Sequence, residues 1–287
     1  MLRLPAPAKL NLFLHITGRR TDGYHTLQTL FQLLDYGDEL GFAPRTDGEL
    51  RLLDPLPGVP DSDNLVLRAA HALRRATGCA LGADIALVKR LPAGGGLGGG
   101  SSDAATALLG LNQVWNLGLD LDTLAAIGLP LGADIPVFVR GRSAWAEGVG
   151  ELLTPVDLAP AWYLVLCPGC QVATAKIFAH RELTRDALPI TIRAFLGQGG
   201  KNHCQPVVEK LYPGVKKARQ WLDTFSPAQM TGTGACVFAR FDSEVRARAV
   251  LAEKPVMWQG FIARGVNQSP THTALKLLTT TGVSPSG

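Results

Sequence analysis

A two-residue alternation opens the chain. From Ala8 to Ile16, the residues Ala8, Leu10, Leu12, Leu14 and Ile16 fall on one side, and Lys9, Asn11, Phe13 and His15 on the other. Alternation of this kind predicts a strand, here with one buried face and one face that carries polar groups into a cleft. The segment RRTDGYH (Arg19 to His25) predicts a turn, because Asp22-Gly23 is a strong turn pair. LQTLFQLLDYGDELGF predicts a second strand with its turn. The pattern then changes to a helical period in DNLVLRAAHALRRATG, an amphipathic helix with an acidic start that Gly78 ends. Further helices are predicted from Ser101 to about Asn116 and from Leu121 to about Ile127.

Composition shifts near Thr154 to Pro160, where prolines gather. A junction there divides the chain into expected domains 1–155 and 156–287. The second half predicts a strand over Trp162 to Cys167 and helical segments near Ile190 to Leu196 and Pro206 to Thr224. A glycine turn in MTGTGACVFARF follows, then a helix in DSEVRARAVLAEKP and a closing strand in GFIARGVNQSP. Strands and helices are mixed rather than strictly alternating, which predicts an α+β fold. No internal repeat is visible.

At 287 residues with 46% hydrophobic and 18% charged, the chain has material for a substantial core. Its net charge of +4 comes from scattered Lys and Arg, which fits an enzyme for anionic substrates and argues against a nucleic-acid binder. MLRLPAPAKLNLFLHI lacks the long apolar core of a signal peptide. The apolar run from Leu158 to Ala175 is broken by Pro168-Gly169, so no membrane span is expected. Five cysteines, an odd number, point to reduced thiols and a cytoplasmic setting. Cys167-Pro-Gly-Cys170 superficially matches a redox motif, but QVATAKIF is a poor helix to follow it. A strand-end turn is the better reading. Zinc would need two more ligands, and His203-Cys204 is a poor second pair.

Between the apolar, basic run IALVKRL and the Ala/Leu-rich helix lies LPAGGGLGGGSSDAA. Glycine allows positive φ and close backbone approach. A helix start leaves free N–H groups and a positive dipole end, so loop and helix together make a site for phosphates. No Lys follows the glycines as a Walker A loop needs, and no strand ending in an acid follows as a dinucleotide site needs. The protein-kinase glycine loop is excluded because no HRD or DFG element follows.

Two further residues stand out. Lys9 lies on the polar face of the first strand, and Asp134 sits in the apolar segment LGADIPVFV. A buried Asp is costly unless it is paired or functional. If the two meet, the lysine polarises a substrate hydroxyl and the aspartate accepts its proton. The plainer alternatives, a snorkelling lysine and a helix cap before Pro136, stay open at this point. Tyr24-His25 offers a stacking ring and a hydrogen-bonding ring beside a turn, or simply solvated turn residues. Phe178 is a core aromatic or a ligand stacker. The TGTGA turn, Thr231 to Ala235, is a second anion site or a tight turn.

Taken together, PAPAKLNLFLHITGRRTDGYHTL, LPAGGGLGGGSSDAA and TGTGACVFA resemble the motifs of the GHMP kinase family of small-molecule kinases. The likeness runs from about Pro5 to His272. It implies a two-domain fold with the active site at the domain interface. It also implies ATP-dependent phosphorylation of an alcohol, with Mg²⁺ arriving as the ATP complex and no acidic metal ligand assigned. The strings PAKLNLFL, GYHTLQTLF, LGADIPVFV and EGVGE match the branch whose substrate carries a cytidine diphosphate and whose product serves isoprenoid synthesis. The resemblance makes Asp134 the base and Lys9 its partner. It gives ATP to Pro92, Ala93, Gly94, Gly95, Gly96, Leu97, Gly98, Gly99, Gly100, Ser101 and Ser102, with Leu65 and Lys89 near adenine. Asn11, Tyr24, His25, Thr174 and Phe178 match cytidine and substrate contacts, with Thr233 and Gly234 near the substrate phosphates. Arg181 to Asn202 matches none of the family's motifs.

Overall fold

The computed structural model describes residues 1–281, so the last six residues of the expected second domain lie outside it. The opening hairpin is long: β1 (Leu2–Arg19) and β2 (His25–Arg45) run antiparallel around the predicted Asp22-Gly23 turn. Then come β3 (Leu50–Leu52), α1 (Leu65–Thr77), β4 (Gly82–Val88), α2 (Gly99–Val114), α3 (Leu121–Gly128) and α4 (Ile135–Arg140). β5 (Ala144–Glu147), β6 (Leu152–Pro155), β7 (Trp162–Cys167), α5 (Thr174–Phe178), α6 (Ile192–Gln198), α7 (Gln205–Leu211) and α8 (Pro213–Asp223) continue the chain. It ends in β8 (Ala228–Met230), β9 (Val237–Phe241), α9 (Glu244–Glu253), β10 (Gln259–Val266) and α10 (Pro270–Thr281).

One sheet threads both halves. Its main path is β3-β4-β2-β10-β7-β9-β8, with β1 and β5 also on β2. β2 is the hub: Thr29–Phe31 pair with β5, Leu33 and Leu34 with β10, and Glu39–Arg45 with β4. All pairings are antiparallel except β3 with β4. Helices α1 to α4 share one core with β1, β2 and β4, and α7 to α9 share another with β7 to β9. A smaller apolar cluster, including Leu10, Leu91, Leu97, Val165 and Cys236, joins the two beneath the glycine loop.

The first strand departs from its expectation. Both of its faces are buried, because irregularities in its pairing between Pro7 and Lys9 and between Asn11 and Leu14 rotate successive side chains out of simple alternation. Phe13 consequently joins Leu30 and Trp145 in a core of their own, closed by Phe195 of the segment that matched no motif. α1 begins at an Asn64 cap, not an acidic one; Asn64 Oδ1 accepts from Val66 N at 2.9 Å. Gly78 ends it at φ 69°, as expected. α2 starts at Gly99, two residues before the expected Ser101, and is buried continuously from Ser102 to Leu111. That explains its lack of a polar face. The single helix expected over Pro206 to Thr224 is two, because Pro213 forces Tyr212 into an extended conformation between them. α10 was not foreseen; it returns to pack on β1, where Thr271 Oγ1 donates to the Pro5 carbonyl.

Candidate active site

The glycine loop runs between β4 and α2, and glycine is required where it turns. Gly96 has φ 75°, and a Cβ there would lie 2.2 Å from the Thr231 carbonyl oxygen. Gly98 caps α2 at φ 73°, and a Cβ there would lie 2.8 Å from the Phe138 ring. The second glycine turn lies directly on the first. Ala235 N donates to Gly94 O and Cys236 N to Gly95 O, at 3.2 and 3.0 Å. No side chain caps α2, so its first N–H groups face the loop's concavity with the positive end of the dipole.

Lys9 reaches this loop from β1. Its backbone N donates to Leu97 O, and its ammonium donates to Gly96 O at 3.0 Å and to Asn11 Oδ1. Asn11 is held in turn, its Nδ2 donating to Thr29 Oγ1 and its backbone N to Thr231 Oγ1. Asp134 occupies the N-cap position of α4 but makes no capping bond. Its carboxylate instead meets Lys9 Nζ at 3.3 Å, with Lys9 almost fully buried and a third of the Asp134 side chain open. The cap reading therefore gives way to a buried lysine paired with an accessible carboxylate.

On the other flank of the loop, Lys89 forms ion pairs with Asp38 and Asp103, the latter at 2.6 Å. Asp38 is fully buried and also accepts from Arg90 N and Leu91 N, fixing the chain as it enters the loop. Burial raises the Asp103 carboxyl, and Lys89 only partly offsets this, leaving it at about 7. Neither aspartate was singled out from the sequence. Asp38 in LDYGDEL was a visible clue, an acid inside a strand otherwise rich in apolar residues.

A cavity of about 1140 Å³ collects these groups. That exceeds the roughly 300–1,000 Å³ usual for one ligand and suits two ligands side by side. Its walls bring together Lys9, Asp134, Leu65, Lys89, the loop from Pro92 to Ser101, Asn11, Tyr24, His25, Thr174, Phe178, Thr233 and Gly234. Ser102 is not among them; it points inward, fully buried, with Oγ unpartnered. His25 and Phe178 stack with centroids 5.1 Å apart and planes 24° apart, while Tyr24 stands exposed at the rim. Thr174 and Thr233 share a hydroxyl hydrogen bond of 2.8 Å, joining α5 to the second glycine turn. Cys167 ends β7 as a strand-end residue and faces Cys236, with their sulfurs 2.7 Å apart, rather than Cys170.

The family model described as "GHMP kinases N terminal domain" matches residues 64–142, and "GHMP kinases C terminal" matches 186–253. The chain is 59% identical over 277 residues to the 4-diphosphocytidyl-2-C-methyl-D-erythritol kinase of Ectopseudomonas mendocina, covering 96% of this chain and 95% of that one. The chain belongs to the GHMP kinase family. The kinase of the same name from Halorhodospira halophila is 54% identical, covering 97% of this chain and 98% of the relative. Among solved structures, a 4-(cytidine 5'-diphospho)-2C-methyl-D-erythritol kinase superposes with a TM-score of 0.80 at 33% identity, covering 92% of this GHMP kinase and all of the other. A mevalonate kinase superposes at 0.67 with 16% identity, covering 93% of this chain and all of that one, a likeness of fold alone.

Proposed function

We propose that this GHMP kinase transfers the γ-phosphoryl group of ATP to the 2-hydroxyl of 4-diphosphocytidyl-2-C-methyl-D-erythritol, giving the 2-phosphate and ADP in the non-mevalonate route to isoprenoid precursors. The observation that carries this reading is the 59% identity to a kinase of that name along nearly the whole of both chains. The local chemistry is consistent with it. Asp134 accepts the hydroxyl proton as the oxygen attacks the γ-phosphorus, and the bond to the β,γ-bridging oxygen breaks with its electron pair leaving on ADP. Lys9, 3.3 Å from Asp134, orients the hydroxyl and offsets developing charge. The N-terminus of α2 and the backbone of Pro92 to Ser101 hold the phosphates, with Leu65 and Lys89 at the adenine end. Asn11, Tyr24, His25, Thr174, Phe178, Thr233 and Gly234 receive the cytidine-bearing substrate. On this reading residues 1–155 form the ATP-binding domain and 156–287 the substrate-side domain.

Among the described residues, no group of three or more His, Cys, Asp or Glu is placed to hold a metal. Mg²⁺ would arrive with ATP and be coordinated largely by phosphate and water. Bound in this way, it would spread the charge of the phosphates. Ser101 is the oxygen donor beside the loop that would meet it, with Asp103, nearly buried and paired with Lys89, behind it and its Oδ1 without a hydrogen-bond partner. All five cysteines are free, which supports a reducing, cytoplasmic setting. No helix among the described residues is long and apolar enough to cross a membrane.

The test is ³¹P NMR of purified protein with ATP, Mg²⁺ and the cytidine substrate. A new phosphomonoester signal that requires the substrate is expected. ATP binding without that signal would remove this alcohol as the acceptor.

A further inference from the structure

Arg185 lies in the segment that matched no motif, and four of the five N–H groups of its guanidinium donate hydrogen bonds. Nε–H donates to His25 Nε2 at 3.1 Å. One terminal nitrogen donates to the carbonyls of Phe178 and His180, both at 2.8 Å, and the other to the carbonyl of Leu183 at 3.1 Å. A helix leaves its last carbonyls short of intrahelical partners, and Arg185 takes up that of Phe178, the last residue of α5, and that of His180 just beyond it. One planar fork therefore ties the ring of His25, at the start of β2, to the end of the helix that carries Phe178.

This arrangement has a chemical consequence for His25. Arginine has only donors, so the nitrogen facing it must offer a lone pair. A neutral imidazole that accepts at Nε2 carries its proton on Nδ1. Burial lowers the affinity of His25 for a second proton, and the charges of Arg185 and Arg19 lower it further, so the ring is neutral at neutral pH. Nδ1 has no hydrogen-bond partner among the described residues, and the ring lines the cavity beside Phe178.

We propose that Arg185 is a positioning residue that fixes His25 in the Nδ1–H tautomer and so presents a hydrogen-bond donor to the ligand stacked near Phe178. The matching ligand edge is an acceptor, such as the ring nitrogen or keto oxygen of a pyrimidine. The identity of that ligand rests on the function proposed above; the tautomer does not. Lysine cannot replace this residue, because a single ammonium lacks the rigid fork that joins one ring nitrogen to three carbonyls.

The test is ¹⁵N NMR of the histidine side chains in the full chain at pH 7.5, with His25 assigned by the signal lost in His25→Asn. The expected wild-type spectrum has a protonated Nδ1 and a bare Nε2. In Arg185→Met, His25 is expected to move toward the Nε2–H form. KM for the cytidine substrate should rise about tenfold, the worth of one neutral hydrogen bond, with kcat and the KM for ATP little changed. A wild-type His25 protonated on Nε2 would overturn the proposal, and that spectrum decides even if the variant does not fold. An Arg185→Met protein with the tautomer retained, or with both KM values raised alike, would overturn it too. An Nδ1–H wild type that does not phosphorylate the cytidine substrate would leave the role of Arg185 standing and remove the substrate assignment.

Discussion

Two lysines flank the glycine loop, and their companions separate them. Lys9 is paired with one carboxylate, Asp134, at 3.3 Å, and that carboxylate opens to the cavity. Lys89 is paired with two, Asp38 and Asp103, whose side chains are 0% and 4% exposed. The first cluster is balanced in charge and leaves a carboxylate where a substrate can reach it. The second holds more acid than base, is closed to solvent on its acidic side, and fastens the backbone at Arg90 and Leu91. On the proposed function, the same pair of residue types serves proton transfer at one end of the loop and shapes the loop beside the adenine end at the other. What differs is the accessibility of the acid, not the identity of the base.

Exchanging each lysine for methionine separates the two roles. Lys9→Met should lower kcat by about 10²–10³, the usual cost of one lost charge-stabilising donor, with a modest change in unfolding because Asp134 stays partly hydrated. Lys89→Met leaves the buried Asp38 and Asp103 side chains without their cation and should destabilise the fold by about 3–5 kcal/mol, measured by denaturant unfolding. Equal effects of the two variants on both turnover and stability would erase the distinction.

A smaller effect is expected on the wall away from the lysines. Phe178→Ala removes the ring stacked on His25 and should raise the KM for the cytidine substrate by up to about tenfold, with less change for ATP. An equal rise for both substrates would make the ring structural only.

The smallest effect concerns pH. His15 and His203 stack with centroids 4.5 Å apart, and burial holds both below the ordinary imidazole value of 6.5. Their folded values are depressed, so the unfolded chain takes up protons first as pH falls below 6.5. Stability should be level above that pH and decline beneath it. Denaturation midpoints at pH 7.5 and 5.5 should differ less in His15→Gln/His203→Gln than in wild type; an unchanged difference would exclude this pair as the cause.

The parts of the site that could be read from sequence were those governed by local rules. The glycine run, the Asp22-Gly23 turn and the Gly78 helix end each follow from backbone sterics over a few residues. Lys9 was visible because strand alternation put a charge among apolar residues, and Asp134 because it interrupted an apolar run. Asp38 and Lys89 are 51 positions apart, and the pair exists only once β2 and β4 are in register. Arg185 and His25 are 160 apart, and nothing in RELTRDALPI repeats with a helical or strand period. Phe13 was assigned to a polar face because alternation carries no information about a bulge. The return of α10 onto β1 was equally hidden, since it depends on the sheet having been built first.

The most direct measurement is single-turnover phosphoryl transfer by Asp134→Ala alongside its equilibrium affinity for ATP. Loss of about 10²–10⁴ in rate, the range for a general base, with ATP affinity unchanged is the result predicted by a carboxylate 3.3 Å from Lys9 at the mouth of the phosphate loop. A rate within a few fold of wild type would take Asp134 out of the chemistry and contradict the assignment of the two lysines.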